Sequence, residues 1–123
     1  MSNHHRTARL YLTDLADSIV KIERYTRDMT LEEFVRDDKT MDAVLRNLEV
    51  IGEASTNMPA DIKNDNPKVN WKSASEMRNK LIHEYFGVSI KIVWETIKED
   101  LPSLKAEVEK ILSGLKDENK KNG

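Results

Sequence analysis

The sequence predicts an all-α protein, an up-and-down bundle of four to five helices. Three observations predict it. Gly 4 and Pro 3 in 123 residues are too few for a β-rich or disordered chain. Apolar residues recur at spacings of three and four along most of the length, the period of helices that bury one face. Charged residues reach 34% and hydrophobic residues 38%, the balance of helices with solvated outer faces. A chain of 14.2 kDa makes one domain, burying roughly two-thirds of its unfolded surface.

From Arg6 to about Arg27, Leu12, Leu15, Ile19 and Ile22 form one helical stripe, widened by Tyr11, Ala16 and Val20. Thr30 and Glu33 then make a capping box, each satisfying the other's exposed amide, and open a short helix that ends near Asp37 and Asp38. A third helix starts at Lys39 or Thr40 and repeats the stripe through Met41, Val44/Leu45, Leu48 and Ile51 to about Asn57. Gly52 inside it costs about 1 kcal/mol relative to Ala, which points to close helix–helix contact. Met58 to Asn70, with two Pro, three Asn and two Asp, reads as a loop holding at most one helical turn between Pro59 and Asn64. Ser73 and Glu76 read as a second capping box, opening a helix through Met77, Leu81 and Phe86 that Gly87 stops.

Ser89 caps the next helix, with Ile90, Val93, Trp94, Ile97 and Leu101 inward. Pro102 kinks or restarts it, and Leu104, Val108, Ile111, Leu112 and Leu115 continue the stripe. Beyond Leu115 there is no apolar residue, so the expected domain is 1–115 with a disordered polar tail at 116–123. The stripes exceed what a four-helix core uses, and a homodimer would take up the excess. Trp71, Phe86 and Trp94 are expected in the core.

Zero cysteines exclude a disulfide scaffold, a thiol nucleophile and every Cys-ligated metal centre. Met1 to Arg9 carry two His and two Arg ahead of any apolar run, so no signal peptide is expected. With no stretch near the roughly 18 apolar residues of a membrane span, the expected location is cytoplasmic. Adjacent His4 and His5 make a poor metal site, and neither metal nor cofactor is expected. The net charge of −2 argues against a globally basic binder. Between Lys63 and Lys91, however, six basic residues face three acidic ones, a local charge of +3.

That basic quarter holds Met77-Arg-Asn-Lys-Leu-Ile-His-Glu-Tyr-Phe-Gly87, in which Arg78, Asn79, His83 and Tyr85 fall within eight residues. A guanidinium fork matches phosphate oxygens and stabilises charge on a pentacoordinate phosphorus. A His of ordinary pKa can take a proton from a hydroxyl or give one to a leaving oxygen at neutral pH. The pair suits RNA cleavage, because RNA supplies its own nucleophile in the 2′-hydroxyl. The same two residues would also serve as a surface ion pair and a partner for a helix C-terminus. On one straight helix Arg78 and Tyr85 lie nearly in line, whereas His83 stands about 140° round from Arg78. Joint action of Arg78 and His83 therefore needs a distorted helix end, a long reach by Arg78, or a second copy of the motif.

Arg78-Asn-Lys-Leu-Ile-His-Glu-Tyr85 resembles the R-x4-H-x-Y signature of the HepT-like toxins of the HEPN superfamily. The blocks YLTDLADSIVKIERYT, KTMDAVLRNLEVIGEAS and YFGVSIKIVWETIKEDLPSLK resemble the same family, so the likeness covers about Arg9 to Leu112. Two departures are visible: Glu76 where a small residue is common, and Asn70 before Trp71 where Pro is common. The resemblance implies an all-helical homodimer that brings two motifs into one cleft and cleaves RNA without metal. It further implies a minimal nucleotidyltransferase antitoxin as partner, transferring AMP to the motif tyrosine. Carried over, Arg78 and His83 are catalytic, Asn79 supports them, and Tyr85 is the AMPylation site. The leading expectation is a metal-independent endoribonuclease toxin. The alternative is a non-catalytic HEPN-type module that docks a nucleotidyltransferase and binds nucleotide or RNA. A third is a helical interaction protein in which Arg78 and His83 only cap and pair.

Overall fold

A computed structural model describes residues 2–78 and 90–122, with side chains for 6–78 and 90–115. All regular structure among these residues is helical: α1 Ser2–Thr26, α2 Leu31–Arg36, α3 Asp38–Asn57, α4 Ala60–Asp65, α5 Trp71–Ser75, α6 Ile90–Glu95, a π-helical turn Thr96–Asp100, and α7 Leu101–Asn122. The all-α class follows. The polar segment 116–123 expected as a tail lies outside the described side chains, although the α7 backbone extends to Asn122.

Three long helices make the frame. α1 packs against α3 on one side and α7 on the other, while α3 also carries α2 and α5. The expected α1 stripe is the core: Leu12, Leu15, Ile19 and Ile22 are fully buried. They meet Val44, Leu48 and Ile51 of α3 and Val108 of α7 in one apolar cluster. Val20, expected to widen the stripe, is instead exposed; at one position past Ile19 it has turned about 100° away from the core. Trp71 is buried, and Trp94 is partly buried against the core.

Side-chain caps set the starts of α2, α3 and α5. Thr30 and Glu33 form the expected capping box, Glu33 N–H donating to Thr30 Oγ1 at 3.2 Å and Thr30 N–H to Glu33 Oε1 at 2.9 Å. α3 begins one residue earlier than Lys39, because Asp37 caps it by accepting from Thr40 N–H at 3.0 Å. That backbone bond, with the Thr40 hydroxyl, holds the Asp37 carboxyl below its ordinary value. A depressed carboxyl contributes above its unfolded pKa, so this cap is lost as the pH falls through the folded value.

The second expected capping box does not form. Asn70 takes that role, accepting from Ser73 N–H at 3.0 Å, so α5 starts at Trp71 and ends at Ser75. The Ser73 amide is thereby already satisfied, and Glu76 lies in the turn that follows. Trp71, Ala74 and Met77, spaced by three, are all buried, and Trp71 Nε1 donates to Asn66 O at 3.2 Å. Met77 and Arg78 are helical again.

Pro102 is absorbed without a break in the rod. Leu101 N–H bonds back five residues to Thr96 O, and α7 restarts with Pro102 in its first turn, where a missing N–H is no loss. Lys98 of the π turn stands 4.6 Å from the Trp94 ring centroid, and its ammonium reaches the last α1 carbonyl, Thr26 O, at 3.5 Å. Lys105 of α7 pairs with Glu23 of α1 at 2.9 Å. Glu23 raises the lysine pKa, first through the hydrogen bond and then through charge. A raised lysine contributes below its unfolded pKa, so this stabilisation holds at neutral pH and goes only as the pH climbs through the folded value.

Phe34 is the largest fully buried side chain among the described residues. It anchors the six-residue α2 by packing on Trp94 of α6, with ring centroids 5.1 Å apart and planes tilted by 38°. So short a helix cannot hold its place without a tertiary anchor. Phe34→Ala is expected to lower stability by about 3–5 kcal/mol, read from the midpoint of urea unfolding.

Candidate active site

α3 and the segment after α5 approach so closely that a side chain has no room between them. A Cβ at Gly52 would stand 2.8 Å from both Arg78 Cβ and Arg78 N, and 3.1 Å from Ser75 O. The close contact expected of Gly52 is therefore present, and its partner is the start of the Arg-x4-His-x-Tyr segment. Behind this contact Trp71, Ala74 and Met77 tie the segment into the core.

Arg78 itself faces outward. Its side chain is 47% exposed, and Nη1 donates to Oε1 of Glu53, which is 50% exposed. Glu53 follows Gly52 directly, so the residue that permits the contact also sets the carboxylate beside the guanidinium. The other donors of Arg78 have no partner among the described residues. Arg carries five N–H donors in a rigid fork, so a second edge can still meet an anion. Ser55, one turn along α3, is fully buried, and its hydroxyl has no hydrogen-bond partner among the described residues.

Of the expected site residues, only Arg78 lies in the described part of the chain. Asn79, His83 and Tyr85 lie outside it, as do Leu81, Phe86, Gly87 and Ser89, and with them the expected 140° separation. The side chains of His4 and His5 are also outside the described residues. Among the described residues no three His, Cys, Asp or Glu side chains gather to hold a metal ion. No helix there is long and apolar enough to cross a membrane. Glu53 is not legible as a site residue in the sequence: it lies 25 positions before Arg78, and its one sequence signal is the glycine it follows.

The described part of the chain is thus a helical bundle that presents a solvent-facing arginine at the head of this segment. The family model described as "Ribonuclease HepT-like" matches residues 15–111. A protein of Thermococcus cleftensis named "Probable ribonuclease HepT" is 49% identical over 106 residues, covering 86% of this chain and 96% of the relative. A protein of Methanocaldococcus jannaschii named as an RNase is 40% identical, covering 93% of this chain and 94% of its own length. Another so named, from Caldanaerobacter subterraneus, is also 40% identical, covering 87% and 96%. No solved structure matches this chain. The chain belongs to the HepT-like ribonuclease family.

Two Gly→Ala substitutions separate space from helix propensity. At Gly114 of α7 a Cβ would have nothing within 4 Å, so Gly114→Ala is expected to stabilise by about 0.5–1 kcal/mol. Gly52→Ala gains the same propensity but drives a methyl into the Arg78 backbone, a strain of about 1–3 kcal/mol. Its melting temperature should fall while that of Gly114→Ala rises.

Proposed function

We propose that this ribonuclease is a metal-independent endoribonuclease, the toxin half of a toxin–antitoxin pair, with Arg78 and His83 as catalytic residues. The observation that carries the reading is Arg78: an exposed guanidinium, fixed on one edge, at the head of an Arg-x4-His-x-Tyr segment in a chain of this family. The substrate follows from the chemistry. Neither Arg nor His need serve as the nucleophile, because RNA carries its own in the 2′-hydroxyl beside each phosphate.

In the proposed step the 2′-oxygen attacks the adjacent phosphorus and the bond to the 5′-oxygen breaks. His83 accepts the 2′-hydroxyl proton as general base, and a second His83 returns a proton to the leaving 5′-oxygen. Arg78 neutralises the charge that gathers on the non-bridging oxygens. Products are a 2′,3′-cyclic phosphate and a free 5′-hydroxyl. A homodimer with two motifs facing one cleft would supply both histidines and remove the angular conflict within one helix. Asn79 would support the pair from the neighbouring position.

Control is proposed to act through Tyr85. A minimal nucleotidyltransferase antitoxin in the same cytoplasm would transfer AMP to its hydroxyl. On a straight helix Tyr85 lies nearly in line with Arg78, so the added phosphate would reach the fork that RNA needs and carry negative charge into the cleft.

Cleavage should proceed in EDTA, leave a 2′,3′-cyclic phosphate and fail on 2′-deoxy substrates. His83→Ala should lose about 10²–10⁴-fold in rate. Arg78→Lys should also lose most activity, because a point charge cannot replace the planar fork. Activity abolished by EDTA and restored by Mg²⁺ would overturn the mechanism.

Tyr85→Phe should keep most of the cleavage activity yet escape silencing by the partner transferase and ATP, whereas the wild type gains the mass of AMP at Tyr85. Silencing of Tyr85→Phe by covalent nucleotide transfer would place the modification on another residue.

A further inference from the structure

The geometry points to Glu53 as a positioning residue for Arg78, one that holds the guanidinium by a single edge and turns the other toward RNA phosphate. The inference rests on the ribonuclease reading above. Two independent observations carry it. The first is the contact itself: Arg78 Nη1 donates to Glu53 Oε1 across 25 residues of sequence. The second is the backbone approach at Gly52, which a Cβ would obstruct at 2.8 Å from Arg78 N. The approach fixes the two backbones relative to each other, and so sets where a carboxylate at position 53 can stand.

The exposure of the pair argues against a stabilising purpose. Both side chains are about half in water, where an ion pair contributes about 0–1 kcal/mol. An unheld arginine there would sample many rotamers, and that freedom is lost when phosphate finally fixes it. Glu53 removes part of it before substrate arrives.

The surroundings say which edge is available. Glu53 lines a groove between α1 and α3 together with Asp14 and Glu49, against the single cation Arg46. Three carboxylates make that side hostile to a phosphodiester. RNA therefore meets Arg78 from the side away from the groove, and Glu53 forms the back wall that aims the fork.

The test is steady-state cleavage of a fluorogenic RNA by the full chain, wild type beside Glu53→Ala, Glu53→Gln and Arg78→Ala, with circular dichroism as the folding check. Glu53→Ala should lower kcat roughly ten- to hundredfold, the cost of a misplaced catalytic group. Its KM should be unchanged or lower, because a negative charge has left the site. Glu53→Gln keeps an oxygen for Nη1 and should recover part of the lost kcat. A Glu53→Ala kcat at or above wild type, or a loss confined to KM, overturns the positioning role. The ribonuclease reading fails separately, if wild type does not cleave or Arg78→Ala cleaves equally well.

Discussion

The site depends on one steric constraint, the missing side chain at Gly52. α3 is packed on α1, α2 and α5, so its position is settled by the core rather than by the site. The following segment can lie against it only where no Cβ intervenes, and Arg78 Cβ and N occupy the space a methyl would take. In a close-packed interior a gap of one methyl is a specification. It fixes the register of Arg78 relative to α3 and leaves Glu53 as its polar neighbour. A mid-helix glycine that costs about 1 kcal/mol in propensity is thus accounted for by the contact it permits.

The flanks of the motif segment are anchored by different devices. Before it, Trp71, Ala74 and Met77 are buried in the common core, and the Trp71 indole also grips the Asn66 carbonyl. After it, Val93 is fully buried, and Trp94 stacks obliquely on Phe34 while Lys98 covers its ring. The π turn that follows lengthens the backbone bond at Leu101 to a five-residue reach and delivers Pro102 to a helix start. The rod from Ile90 onward therefore keeps its inward face through a proline that would otherwise disrupt an α-helix.

The long helices are legible in the sequence because their signal is periodic and repeated. Leu12, Leu15, Ile19 and Ile22 bury as their spacing predicts, and the Thr30–Glu33 box closes as its residue types predict. The single-turn elements are harder to read, since five or six residues show less than two helical periods. The start of α5 differs from the sequence expectation because Asn70 and Ser73 are both competent caps, and sequence does not say which amide is already taken. Phe34 carries no periodic signal as a buried anchor for the same reason, its helix being six residues long. Arg78 is legible through its motif, whereas Glu53 is not. A pair 25 residues apart leaves no local pattern, and only the close approach at Gly52 brings it together.

Two ion pairs, one half-buried and one exposed, show how geometry, rather than charge, distinguishes Arg78. Lys105 and Glu23 join α7 to α1, with side chains 31% and 28% exposed, and the lysine pKa is raised by its partner. A lysine is a point charge; once it meets Glu23 at 2.9 Å across two packed helices, it has the partner its position calls for. Arg78 and Glu53 are more exposed, at 47% and 50%, so their mutual attraction is more strongly screened. Yet the arginine sits where the backbone is most tightly constrained, and a guanidinium engaged at Nη1 still presents donors along its other edge. Weak attraction combined with strict placement is poor design for holding a fold together. It suits the role proposed for Arg78, a cation held for an anion that arrives from solution, since pre-orientation lowers the entropy lost on binding.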